Sequence, residues 1–119
     1  MAKILMVDDS RTSRKILKDI LVDAGHEIVG EAGNGEEGYQ MYGEVKPDLV
    51  TMDITMPVLD GIEALKKIKA ENPDAKVVMV TAAGQKSKLI EAIQNGAVDF
   101  ISKPFDNDKL IEIVSKALA

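Results

Sequence analysis

Short apolar runs alternate along this chain with stretches in which apolar residues recur every three or four positions. Lys3 to Val7 is an apolar run that stops at Asp8-Asp9-Ser10, as a strand buried on both faces would. Ile16, Leu17, Ile20, Leu21 and Ala24 then share one helical face, with Gly25 as the stop. Glu27 to Ala32 reads as a second strand and Gly33-Asn34-Gly35 as a turn. The next helix, about 36–45, has only Tyr39, Tyr42 and Val45 on its apolar face and contains Gly38 and Gly43, so it is expected to be the weakest. A third strand, Leu49-Val50-Thr51-Met52, ends at Asp53.

Ile62, Leu65 and Ile68 mark a third helix that ends near Asn72-Pro73. Residues 76–81, KVVMVT, form a fourth strand rich in β-branched residues, and Ala82-Ala83-Gly84 a small loop. A fourth helix over about 85–95 is expected to bury Leu89, Ile90 and Ile93 and to stop at Gly96. Residues 98–102 make a fifth strand interrupted at Lys103-Pro104, and a last helix over 107–118 turns Leu110, Ile111, Val114 and Leu118 inward. Five strands alternating with five helices through short connections predict an α/β doubly wound three-layer sandwich, (βα)5, with a parallel sheet and right-handed crossovers.

A length of 119 residues and a hydrophobic fraction of 45% suit one domain spanning 1–119. Cysteine is absent, which excludes disulfides and thiolate metal sites. The apolar start runs straight into Asp8-Asp9, and no apolar run reaches the length of a membrane span, so a cytoplasmic protein with no membrane partner is expected. A net charge of -5 and only 3% aromatic residues argue against a nucleic-acid surface. His26 reads as a surface residue and the methionines as core filling, with Met56 beside Pro57 the one that could be exposed.

Polar groups stand at four of the strand ends: Asp8 and Asp9, Asp53, Thr81, and Lys103. In a parallel sheet these ends share one edge, where ligands collect. Each residue alone has a plainer reading: Asp8 and Asp9 as a helix cap, Asp53 as a turn former, Thr81 as a strand end, Lys103 as a solvated lysine. Together they leave two negative charges uncompensated. Carboxylates ~4–5 Å apart repel by several kcal/mol at an effective dielectric of ~20. Oxygen ligands without histidine or cysteine favour a hard cation such as Mg2+, which keeps waters for phosphate oxygens. Asp53 is then a candidate nucleophile toward phosphorus, with Lys103 and Thr81 stabilising the charge that develops.

With Asp8-Asp9, the DITMPVLDG run from Asp53 to Gly61, Thr81-Ala82 and Lys103-Pro104-Phe105 in this order, the chain resembles the receiver domains of two-component response regulators over its whole length. The flavodoxin-like strand order 2-1-3-4-5 comes with that resemblance, since the chemotaxis regulator is a standing example of it. The resemblance implies that a histidine sensor kinase, or a small acyl phosphate, phosphorylates Asp53. It implies Mg2+ held by Asp8, Asp9, Asp53 and the backbone carbonyl of Thr55, and a cis Lys103-Pro104 bond. It further implies that Thr81 moves toward the phosphoryl group and that Phe100, where relatives often carry tyrosine, turns inward. The face formed by the fourth helix, fifth strand and fifth helix would then change its affinity for an output protein.

The DDSRTSRKIL opening is similar to chemotaxis-type regulators, whose partner is the flagellar motor switch. A monomer without an attached output domain is expected, and one that turns over no external metabolite. A receiver in another pathway or a phosphorelay intermediate shares these features. An aspartate-nucleophile, Mg2+-dependent phosphatase would need a second acid where Thr55 stands, and a flavodoxin-like FMN binder would not place an acidic loop after its first strand.

Overall fold

The computed structural model describes residues 2–119. The elements are β1 (Lys3–Val7), α1 (Arg11–Asp23), β2 (Glu27–Ala32), α2 (Gly35–Val45), β3 (Leu49–Asp53), α3 (Gly61–Glu71), β4 (Val77–Thr81), α4 (Lys86–Gln94), β5 (Asp99–Ser102) and α5 (Asn107–Leu118). All neighbouring strands are parallel, in the order β2-β1-β3-β4-β5. The expected doubly wound fold is the observed one, and the strand bounds differ from the reading by one residue at β4 and β5.

Alternation along the inner strands divides the interior into two layers. Leu5, Val7, Val50, Met52, Val77 and Met79 pack with Ile62, Leu65 and Ile68 of α3 and Ala92 of α4. Ile4, Met6, Leu49, Val78 and Ile101 pack with Leu17, Ile20 and Leu21 of α1 and Leu110 and Val114 of α5. Burial on both faces is why β1, β3 and β4 read as largely apolar runs, with Thr51 the polar exception inside β3.

Four expectations are corrected. Ile90 and Ile93 of α4 are exposed, at 49% and 44%, and Ala92 is the buried residue instead. Successive residues on a helix point about 100° apart, so a face that seats Leu89 and Ala92 against the sheet leaves Ile90 and Ile93 on the flank. Ile16 lies on the rim of the α1 contact and is likewise exposed. Met56 is buried, not exposed, because the loop after β3 folds back over the α3 side of the core. His26 is half-buried, and its Nδ1 accepts a bond from the Ala2 N–H at 3.2 Å, with burial lowering its pKa.

The β3–α3 loop is shaped by two unusual residues. Gly61 donates its N–H to the Ile54 carbonyl at 2.7 Å, and a Cβ there would overlap the Asp53 carbonyl oxygen. Only glycine allows α3 to begin so close to the end of β3. Val58 has φ +70° and is 81% exposed, at the centre of a turn closed by Leu59 N–H donating to Pro57 O at 2.8 Å. A β-branched residue in this region is strained.

Candidate phosphorylation and metal site

β1 and β3 are adjacent, with Val7 paired to Met52, so Asp8 and Asp53 emerge side by side at the carboxyl edge. Asp53 pairs with Val80 across β3 and β4, which sets Thr81 one step beyond it. Thr81 in turn pairs with Ser102, and Lys103 follows, its N–H bonded to the Thr81 carbonyl at 2.8 Å. The Lys103-Pro104 bond is cis. The four strand ends predicted to converge therefore do so in space.

Carboxylate oxygens of Asp8, Asp9 and Asp53 all lie within 4.8 Å of one another, with Asp8 and Asp53 buried and Asp9 exposed. Lys103 Nζ is 3.2 Å from Asp8 Oδ2 and 3.8 Å from Asp53 Oδ1. Asp8 Oδ1 accepts from the Ser10 N–H at 2.8 Å, and Arg14 holds the Asp8 backbone carbonyl. Among the described residues, Asp8 Oδ2 is buried without a hydrogen bond, and the Lys103 ammonium stands beside it as an ion-pair partner. A buried carboxylate oxygen without a hydrogen bond can serve as a ligand, and an all-carboxylate set suits a hard cation; the residues fit a divalent metal such as Mg2+.

Asp53 Oδ1 accepts from the Ile54 N–H at 3.1 Å. Its carboxyl is pushed up to about 6 by burial first, then by the Asp8 and Asp9 charges, against the opposing pull of Lys103 and the Ile54 N–H. Like charges crowded in a partly desolvated pocket produce this shift.

Thr81 is buried at the same edge. Thr55 is exposed, and Phe100 on the edge strand β5 is 40% exposed, facing outward between α4 and α5. Two neighbours escaped the sequence reading. Arg14 was hidden among the other basic residues of α1. Gln85 joins the site by donating from Nε2 to Thr55 Oγ1 at 2.9 Å and accepting at Oε1 from the Ala82 N–H at 2.7 Å. The available signal was glutamine at a helix start, where serine, threonine or aspartate is the usual cap.

The response regulator receiver domain model matches residues 4–115. A chemotaxis protein CheY from Bacillus subtilis is 53% identical over 116 residues, covering 98% of this chain and 97% of that protein. A chain in the crystal structure of the CheX-CheY-BeF3-Mg+2 complex from Borrelia burgdorferi superposes with a TM-score of 0.93 at 35% identity, covering 98% of this chain and 89% of that one. The longer NtrX chain of Brucella abortus is matched over 26% of its length and 98% of this chain, with 38% identity and a TM-score of 0.92.

Proposed function

The chain belongs to the response regulator receiver domains, and from that premise we propose that it is a phosphorylation switch of chemotaxis type, with Asp53 as phosphoacceptor. The observation that carries this reading is the meeting of Asp8, Asp9 and Asp53 within 4.8 Å, with Lys103 between Asp8 and Asp53. Mg2+ held by Asp8, Asp9, Asp53 and the Thr55 carbonyl would offset the surplus negative charge and accept phosphoryl oxygens.

A carboxylate oxygen of Asp53 attacks phosphorus in a phosphohistidine of the sensor kinase. The phosphorus–nitrogen bond breaks, and the imidazole leaves with the electron pair and is protonated. With an acyl phosphate the leaving group is the carboxylate. Lys103 stabilises charge on the transferring group and Thr81 donates a hydrogen bond to one of its oxygens.

Output is through the α4–β5–α5 face, where Ile90, Ile93, Val98 and Phe100 are exposed apolar residues. Such a patch supports a protein partner. The partner on this reading is a component of the flagellar motor switch or a CheX-like protein, the latter being what the Borrelia burgdorferi protein is bound to in its complex, and it binds after Thr81 and Phe100 have shifted. A phosphatase reading is less well supported, because Thr55 supplies no acid and its hydroxyl is engaged by Gln85.

Incubation with acetyl phosphate and Mg2+ is expected to add one phosphoryl group, read by intact-protein mass spectrometry. Asp53→Ala should take none. Labelling of that variant equal to the wild type would refute the assignment.

A further inference from the structure

Gln85 lies where two donors of the β4–α4 loop converge. Its Oε1 is 2.7 Å from the Ala82 nitrogen and 3.4 Å from Thr81 Oγ1. The Thr81 hydroxyl also has the Ala82 carbonyl at 3.3 Å. Both of its contacts are long for an O–H···O bond, so Thr81 is loosely held, whereas the Ala82 N–H bond is short. The other end of the same amide is anchored by the 2.9 Å bond to Thr55 on the β3–α3 loop. One side chain therefore closes a bridge between the loops on either side of Asp53.

Gln85 is also the N-cap residue of α4, yet its side chain makes no capping bond to that helix. A cap bond to an orphan helix N–H is the usual local use of such a position. Here the amide oxygen is turned back toward the carboxyl edge instead. The acceptor it offers, an oxygen taking one backbone N–H and facing one hydroxyl, resembles what a phosphoryl oxygen on Asp53 would require from the same loop.

We propose that Gln85 is a positioning residue whose side-chain oxygen is a placeholder for a phosphoryl oxygen. Phosphorylation of Asp53 displaces it from Ala82 and Thr81, and its bond to Thr55 is lost as the amide swings out. Because Gln85 begins α4, the displacement reaches the first turn of that helix directly. The placeholder competes with the phosphoryl group for the same donors, so the wild-type residue holds the switch toward rest. This rests on Asp53 being the phosphoacceptor.

The test compares wild type, Gln85→Leu and Thr55→Val, all with Mg2+. Gln85→Leu keeps similar bulk and cannot accept. It is expected to label from acetyl phosphate ~2- to 10-fold faster at limiting donor, and to bind beryllofluoride tighter by a similar factor, the effect of losing one net hydrogen bond from the resting state. Thr55→Val, which cuts the other anchor, should move both in the same direction by less. The Thr81 methyl resonance of unphosphorylated Gln85→Leu should lie on the line joining the wild-type resting and beryllofluoride-bound positions, a shift that simple loosening of the loop would not produce. Wild type labelled normally with Gln85→Leu unchanged or slower would overturn the placeholder alone. Failure of wild type to label at Asp53 would overturn the underlying function as well. If Gln85→Leu did not fold, an unchanged Thr55→Val would overturn the proposal.

Discussion

Asp53 carries a free-energy cost in the metal-free protein. Its carboxyl titrates at about 6 against an ordinary 3.8, so between these values the folded state binds more protons than the unfolded. Its contribution to stability is therefore greatest below pH ~4 and is lost as pH rises through about 6. Above that, the ionised group opposes folding by on the order of 2 kcal/mol, at 1.36 kcal/mol per pK unit and allowing for partial solvation. In chelator, Asp53→Asn should be more stable than wild type by about that amount at pH 8 and by little at pH 4, as read by urea unfolding. Equal stability at pH 8 would contradict the crowding of charge. Thr51, two residues earlier on β3, is buried between Met6 and Val78 with its hydroxyl unpaired. Thr51→Val removes that group at constant shape and should raise stability by ~1 kcal/mol while Asp53 is labelled as before.

Helix α4 is the least anchored of the helices, in place of the expected α2. Ser10, Asn34, Asp60 and Asp106 each cap α1, α2, α3 and α5 through a side-chain bond, and α4 has none. It spans nine residues, buries only Ala92, and carries Lys86 and Lys88 near the positive end of its dipole. The glycines that made α2 look weak have another side: Gly38 packs against Val7, where a Cβ would clash, and Asn34 secures the helix start. Amide exchange should therefore be fastest in α4 among the five helices, with an opening free energy lower than that of α2 by ~1 kcal/mol or more. Faster exchange in α2 would restore the original expectation. A loosely held α4 beside exposed Phe100 suits the proposed switch, in which this face changes on phosphorylation.

Folding assembles the acidic cluster from β1 and β3, which are separated by more than forty residues of chain. An unfolded chain offers no such cluster, so a divalent ion held there, as proposed, would bind the folded protein preferentially. At Mg2+ 100-fold above its dissociation constant the gain is about 2.7 kcal/mol, and melting should shift upward by several degrees. The shift should fall sharply in Asp8→Asn and Asp53→Asn. No shift in wild type at millimolar Mg2+ would count against the metal site.

Much of this was legible from residue order alone, for identifiable reasons. Buried parallel strands announce themselves as apolar runs, and the switch to helical spacing after each one sets the alternation from which the fold follows. Asp8, Asp9, Asp53, Thr81 and Lys103 were visible because each terminates such a run, and parallel strands share their carboxyl edge. What residue order left open was orientation and partnership. Spacing could not tell which flank of α4 faces the sheet, since Ala92, small and weakly apolar, allows the close approach that turns Ile90 and Ile93 outward. Nor could it show that Lys103 lies closer to Asp8 than to Asp53, that one Asp8 oxygen is left without a hydrogen bond, or that Gln85 reaches back to Thr55 thirty residues away. Those depend on how loops from separate strands settle against one another, and polar contacts of that kind leave no period in the chain.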